Sequence, residues 1–175
     1  MDPHRAWCLS CCIFLLAGVT GRADAPDDIK ISAPAFGEGK PIPARYSYKH
    51  ENISPELRLA NVPVGARSLV LIVDDPDSPS GLWTHWLVWN LSPKTTLLPE
   101  GKLPSDAIQG KNSFGHDCYD GPAPPGGTHH YFFHLYALDA LLNLPGGSDR
   151  EALDKVMIGH VIGQGVTMGL YSASP

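Results

Sequence analysis

SLVLIVDDPDSPSGLWTHWLVWNL, Ser68 to Leu91, decides the fold. Its first six residues, Ser68 to Val73, are a continuous apolar run rich in β-branched side chains, the pattern of a strand buried on both faces. Trp86 to Leu91, WLVWNL, has the same character and follows a turn-rich gap. Outward from this pair, Tyr131 to Leu138, YFFHLYAL, reads as a third strong strand. Ile29 to Phe36 and Tyr46 to Tyr48 read as short strands near the start, and Val166 to Tyr171 as a final short strand. One helix is expected. Ser148 with Glu151 forms a capping-box pattern, Leu153, Val156, Met157 and His160–Val161 recur at helical spacing, and Gly163 and Gly165 end it. Strands first, a helix late and no βαβ alternation predict a mainly β protein, a β-sandwich or barrel with a peripheral C-terminal helix.

Composition supports this reading. The 175 residues suit one domain, and 43% hydrophobic against 18% charged residues argues for a packed core. The 18 glycines and 17 prolines suit many short strands joined by sharp turns. A net charge of −5 lacks the basic footprint of a nucleic-acid binder and gives no attraction to anionic membranes. An anionic ligand must therefore be held by local donors.

Residues 1–25 have the three-part layout of a secretory signal peptide: His4 and Arg5, the apolar run Cys8 to Val19, and small residues ending in GRADA. The run is shorter than the roughly 20 residues that a membrane span needs. Cleavage after Ala23 or Ala25 is expected, giving an exported, periplasmic or secreted domain from residue 26 to 175. A lipoprotein anchor fits less well, because Cys8, Cys11 and Cys12 lie inside or before the apolar run. Cys118 alone of the 4 cysteines remains after cleavage, which excludes an intrachain disulfide. Asn52-Ile53-Ser54 and Asn90-Leu91-Ser92 fit the glycosylation pattern and carry no weight in the argument.

Acidic and imidazole side chains gather where strands end. DDPDSP places Asp74, Asp75 and Asp77 directly after the first buried strand, with Pro76 and Pro79 restricting the backbone. THW sets His85 at a strand mouth, and GTHHYFF does the same for His129, with Tyr131 on the same strand face. His130 and His134 fall on the opposite face, as structural or solvent-facing groups. GKNSFGHDCYDGPAPPGG, 110–127, is too rich in glycine and proline for regular structure, and loops this long are usually functional. If the three strong strands are neighbours, these groups line one cavity where His85 and His129 can donate to an oxyanion and the acids orient the imidazoles.

DDPDSPSGLWTHWLVWN and GKNSFGHDCYDGPAPPGGTHHYFFHLYALD together resemble the phosphatidylethanolamine-binding protein (PEBP) family, above all its bacterial Raf-kinase-inhibitor-like YbhB/YbcL branch. The likeness runs from about Ile29 to Tyr171; NISPELRLANVP and the helix leading into HVIGQG also resemble that branch. It implies a large central antiparallel sheet packed on a smaller one, and a pocket accepting phosphate, acetate or phosphoethanolamine-like groups. Asp75 and Asp77 match the two acids of the DPDxP element and His85 the pocket histidine. The GPAPP segment, with Gly121, Pro124 and Pro125, matches the backbone bordering the anion, and His129 and Tyr131 match the H-x-Y pair. Two departures stand out: Gln164–Gly165 replaces the expected acid and alanine, and the extra C-terminal helix of eukaryotic members has no counterpart, so a more open pocket mouth is expected.

The expectation is a binding protein for small phosphate-like anions or phospholipid head groups, not an enzyme, with no cofactor and no metal. The oxyanion takes bonds from imidazole and from backbone N–H groups of 121–127, and affinity rises at mildly acidic pH. One alternative is an exported interaction or inhibitor module with an envelope or host protein partner; homodimerisation would use sheet edges. The lesser alternative is a metal-assisted hydrolase using Asp75, Asp77, His85 and His129, although HExxH and GxSxG patterns are missing, and CxxC is missing from residues 26–175.

Overall fold

Both faces of the central strand are covered, which is why its sequence does not alternate. The computed structural model describes residues 27–173; the expected signal peptide lies outside them. In chain order they form β1 (Asp27–Asp28), β2 (Lys30–Ser32), β3 (Lys40–Pro41), β4 (Leu57–Ala60), β5 (Ser68–Asp75), β6 (Trp83–Leu91), β7 (Leu97–Leu98), β8 (Ile108–Gln109), β9 (Thr128–Leu138), α1 (Arg150–Met157) and β10 (Val161–Ser172). The large sheet has the order β1-β10-β9-β5-β6-β8, and β3 also pairs with β10. Its long strands are antiparallel, while the short β1 and β3 run parallel to β10. A smaller antiparallel sheet has the order β2-β4-β7.

Leu69, Leu71 and Val73 of β5 join Trp86, Val88, Phe133 and Leu135 in the core between the sheets, against Ile31, Leu57, Leu59 and Leu98. Val70 and Ile72 point the other way and pack with Leu87 and Trp89 against Leu153 and Met157 of α1. Each such side chain contributes about 1.5–3 kcal/mol by leaving water. The sandwich therefore carries a third layer, the helix, on the outer face of its large sheet. Among the described residues no helix is long and apolar enough to cross a membrane.

Several local expectations differ from the structure; the strand expected over Ile29 to Phe36 ends at Ser32, and the final strand runs over Val161–Ser172. Tyr46 ends a 3-10 turn over Ala44–Tyr46, with Ser47 N–H donating to Ala44 O at 2.9 Å, so Tyr46 to Tyr48 is not a strand. The helix is capped by Asp149, whose carboxylate accepts from Ala152 N–H at 2.9 Å. Ser148 instead donates to Pro145 O, and Glu151 pairs with Lys155 on the surface. Gly163 and Gly165 do not stop the helix, which ends at Met157; they lie inside β10. A Cβ on Gly165 would sit 2.0 Å from Ile29 O, so glycine is required where the start of the chain crosses β10.

Candidate functional site

The large sheet brings three of the sequence-predicted segments together. β5 lies between β6 and β9, and its register with β9 ends at Asp74↔Phe132, which sets Asp75 beside Tyr131 one step further on. On the other side, Val73 pairs with Trp86 and Asp74 with Thr84. The ladder thus steps over His85, a β-bulge of the kind that re-aims a side chain.

His85 is buried, and its Nδ1 lies 2.7 Å from Asp120 O. A carbonyl only accepts, so Nδ1 carries the proton and, in the neutral ring, Nε2 is left with a lone pair. Burial holds the imidazole below the usual histidine range, against the opposing pull of the Asp120 carbonyl and the Asp75 charge. Tyr131 and Phe114 stand edge-on to the ring, with centroids 5.1 and 5.5 Å away.

Asp75 is buried and already occupied. Its Oδ1 accepts Asp77 N–H at 2.8 Å and its Oδ2 accepts His129 Nδ1–H at 2.7 Å. His129 therefore sits behind Asp75 and orients it. Tyr131 is 1% exposed, and its hydroxyl has no hydrogen-bond partner among the described residues. The Asp75 carboxylate and the Ala123 backbone are close enough to act on that oxygen. Burial, reinforced by the Asp75 charge, raises the phenol well above its ordinary range, so it stays a donor.

Of these groups, Asp75 and His85 line a cleft of about 260 Å³ with Ser78, Pro79, Trp83, Phe114, Ala123 and Pro125, while Tyr131 lies buried against His85 outside that lining. Aromatic and proline walls enclose a small polar floor, a volume suited to a head group more than to a whole lipid.

Other sequence-predicted residues sit elsewhere. The Asp77 carboxylate turns away from the cleft, accepting from His130 N–H at 2.8 Å and facing His130 Nδ1 at 2.6 Å. That pair holds the Asp77 carboxyl below the ordinary range, and Asp77 serves Asp75 only through its backbone. Gly121 packs against Tyr46, where a Cβ would meet the carbonyl oxygen at 1.8 Å. Its N–H is spent on Asn52 Oδ1 at 2.8 Å. Pro124 borders a separate recess with Ser47, His50 and Tyr171. Because positions 122, 124 and 125 are proline, the 121–127 loop retains amide donors only at Ala123, Gly126 and Gly127. Sequence reasoning missed Trp83, Phe114 and the carbonyl of Asp120. Trp83 had a signal, two residues before His85 on one strand; Phe114 and Asp120 lie in a loop where spacing says nothing about direction.

A family model described as phosphatidylethanolamine-binding protein matches residues 32–172. A UPF0098 protein from Methanothermobacter thermautotrophicus is 46% identical over 148 residues, covering 82% of this chain and 98% of that one. A Mycobacterium tuberculosis relative named lipoprotein LppC is 37% identical over 154 residues, covering 87% of this chain and 76% of that one. The crystal structure of a PEBP homologue from Chlamydia trachomatis superposes with a TM-score of 0.80 at 42% identity, covering 85% of this chain and 99% of that one. Escherichia coli YbcL, described as a member of the mammalian PEBP family, gives 0.79 at 27% identity, with 84% and 99% coverage.

Proposed function

From the premise that the chain belongs to the phosphatidylethanolamine-binding protein family, we propose that it binds small phosphate-like or carboxylate groups, including phospholipid head groups, in the Asp75–His85 cleft, as a binding protein and not an enzyme. The observation that carries this reading is the Tyr131 hydroxyl, buried and protonated next to the cleft residues Asp75 and His85, with no hydrogen-bond partner among the described residues. A buried donor without a partner costs about 1–3 kcal/mol, a cost that a bound oxyanion offsets. Ala123 N–H is the loop amide on the same wall. His85 supplies a second side-chain donor when Nε2 gains a proton. The remaining lone pairs of Asp75 suit an ammonium or a protonated phosphate oxygen. Export of the mature domain agrees with the signal-like N-terminus and with a relative named a lipoprotein.

Calorimetric titration of the mature chain with phosphate and with phosphoethanolamine tests the reading. Binding that His85→Ala abolishes in a folded protein is the expected outcome. A folded wild type that binds neither compound refutes it.

A further inference from the structure

Away from the cleft, the long loop collects three metal-type donors. His116, Cys118 and Asp120 place one imidazole nitrogen, one sulfur and one carboxylate oxygen within 4.8 Å of one another. Their arrangement is built around a single side chain. Asn112 Oδ1 accepts the backbone N–H of Phe114 and of His116, at 2.9 and 3.0 Å. Its Nδ2 donates to Cys118 O at 3.0 Å and to Asp120 Oδ2 at 2.7 Å. The loop is thus wound about one buried amide, which ties all three donor-bearing residues through its hydrogen bonds.

The carboxylate among them is fixed. Asp120 is 2% exposed, and Asn52 Nδ2 donates to its Oδ1 at 2.9 Å. Its backbone is pinned to β6 by Asp120 N–H donating to His85 O at 3.1 Å. Two asparagine amides orienting a carboxylate are the kind of outer support that metal-ligating acids receive. His116 and Cys118 are exposed, so an ion can reach them. Asp117 and Asp120 also put negative potential on the thiol, which a divalent cation reverses.

We propose that His116, Cys118 and Asp120 form a binding site for a borderline-soft divalent transition metal, zinc in the first place. Sulfur, nitrogen and carboxylate oxygen are the zinc donor set, and three protein ligands leave a position for water or an outside ligand. Cys118 lines a groove of about 340 Å³ with Asn52, Trp86, Lys102 and Gln109, which gives that position access to solvent. As the sulfur–metal bond forms, the thiol releases its proton to solvent. The imidazole ligates through Nδ1, giving up its 2.8 Å contact with Asp120 Oδ2, and its proton moves to Nε2. A bound ion would also tie the loop that holds the Asp120 carbonyl against His85.

Cobalt reports the thiolate directly, because sulfur-to-cobalt charge transfer absorbs in the near ultraviolet. Titrating the mature chain with Co²⁺ should give that band, saturating at one ion per chain and displaced by Zn²⁺. Cys118→Ser should abolish the band, and His116→Ala should weaken binding by about tenfold or more. Both substitutions remove exposed side chains, and unchanged metal-free unfolding midpoints would show that the fold survives. Absence of the band in wild type overturns the proposal, as does a band that His116→Ala leaves unaltered, since the thiol would then act alone.

Discussion

Replacing Tyr131 by phenylalanine separates the hydroxyl from the ring. The ring is a core element, buried among the large-sheet side chains and edge-on to His85, so Tyr131→Ala would add a cavity costing about 3–5 kcal/mol and blur the answer. The hydroxyl in the free protein is buried and unpartnered, a state that costs about 1–3 kcal/mol. Tyr131→Phe should therefore leave the fold as stable or up to about 3 kcal/mol more stable. If the hydroxyl donates to a bound oxyanion, its loss removes a charge-assisted bond of about 1.5–3 kcal/mol, or roughly 10- to 150-fold in affinity. Urea unfolding of the free protein and calorimetric titration with phosphate measure the two effects on the same preparation. Greater or equal stability with weaker binding is the expected signature. A loss of more than about 1 kcal/mol with unchanged affinity would mean that the hydroxyl serves the fold, and the reasoning about the cleft would fail.

If His85 donates to the bound anion, binding should depend on pH. Its Nδ1 is committed to Asp120 O and burial keeps the ring neutral, so donation from Nε2 requires proton uptake in a setting shared with Asp74 and Asp75. Sulfate, whose charge is constant over the range, should bind more tightly as pH falls from about 8 to about 5, with proton uptake visible as a buffer-dependent enthalpy; flat affinity would remove His85 as a donor. The same depressed pKa has a sign for stability: the unfolded chain binds the proton first, so the contribution is full above about pH 6.5 and is lost as pH falls through the folded value. Gly121→Ala should destabilise by about 1–3 kcal/mol or more in urea unfolding, because its Cβ would overlap Tyr46 O at 1.8 Å; a neutral result would show that the loop shifts freely.

The fold was legible where burial leaves a strong pattern. Leu69 to Val73 lies between two cores, so every one of its positions is apolar, and its reading as a central strand follows from that demand. The glycines of β10 misled because a glycine needed for close backbone approach looks like one that ends a helix. Only the three-dimensional crossing of Ile29 over Gly165 distinguishes them. Ser148 and Asp149 are both good caps in sequence, and which one closes the helix is decided by Ser148 finding Pro145 O first.

The site was legible to the extent that strands carry it. His85, His129, Tyr131 and Asp75 sit at strand ends whose neighbours the pattern already implied. The DPD element shows the limit of that logic. Asp75 and Asp77 share parity along an extended chain, yet the turn after β5 sends them to opposite sides, one into the cleft and the other to His130. Parity ends where the strand ends, so a turn residue's direction is set by the partner it finds. The same rule governs the proline-rich loop. Its composition marked it as a functional loop and the family resemblance implied a ligand border, but three prolines cannot donate and the Gly121 amide is held by Asn52. On the proposed reading, anion recognition would fall to a phenol, an amide and an imidazole that must first acquire a proton, in place of a nest of backbone amides. Such a cleft should favour ligands that bring a proton or a cationic group with them over a fully ionised phosphate.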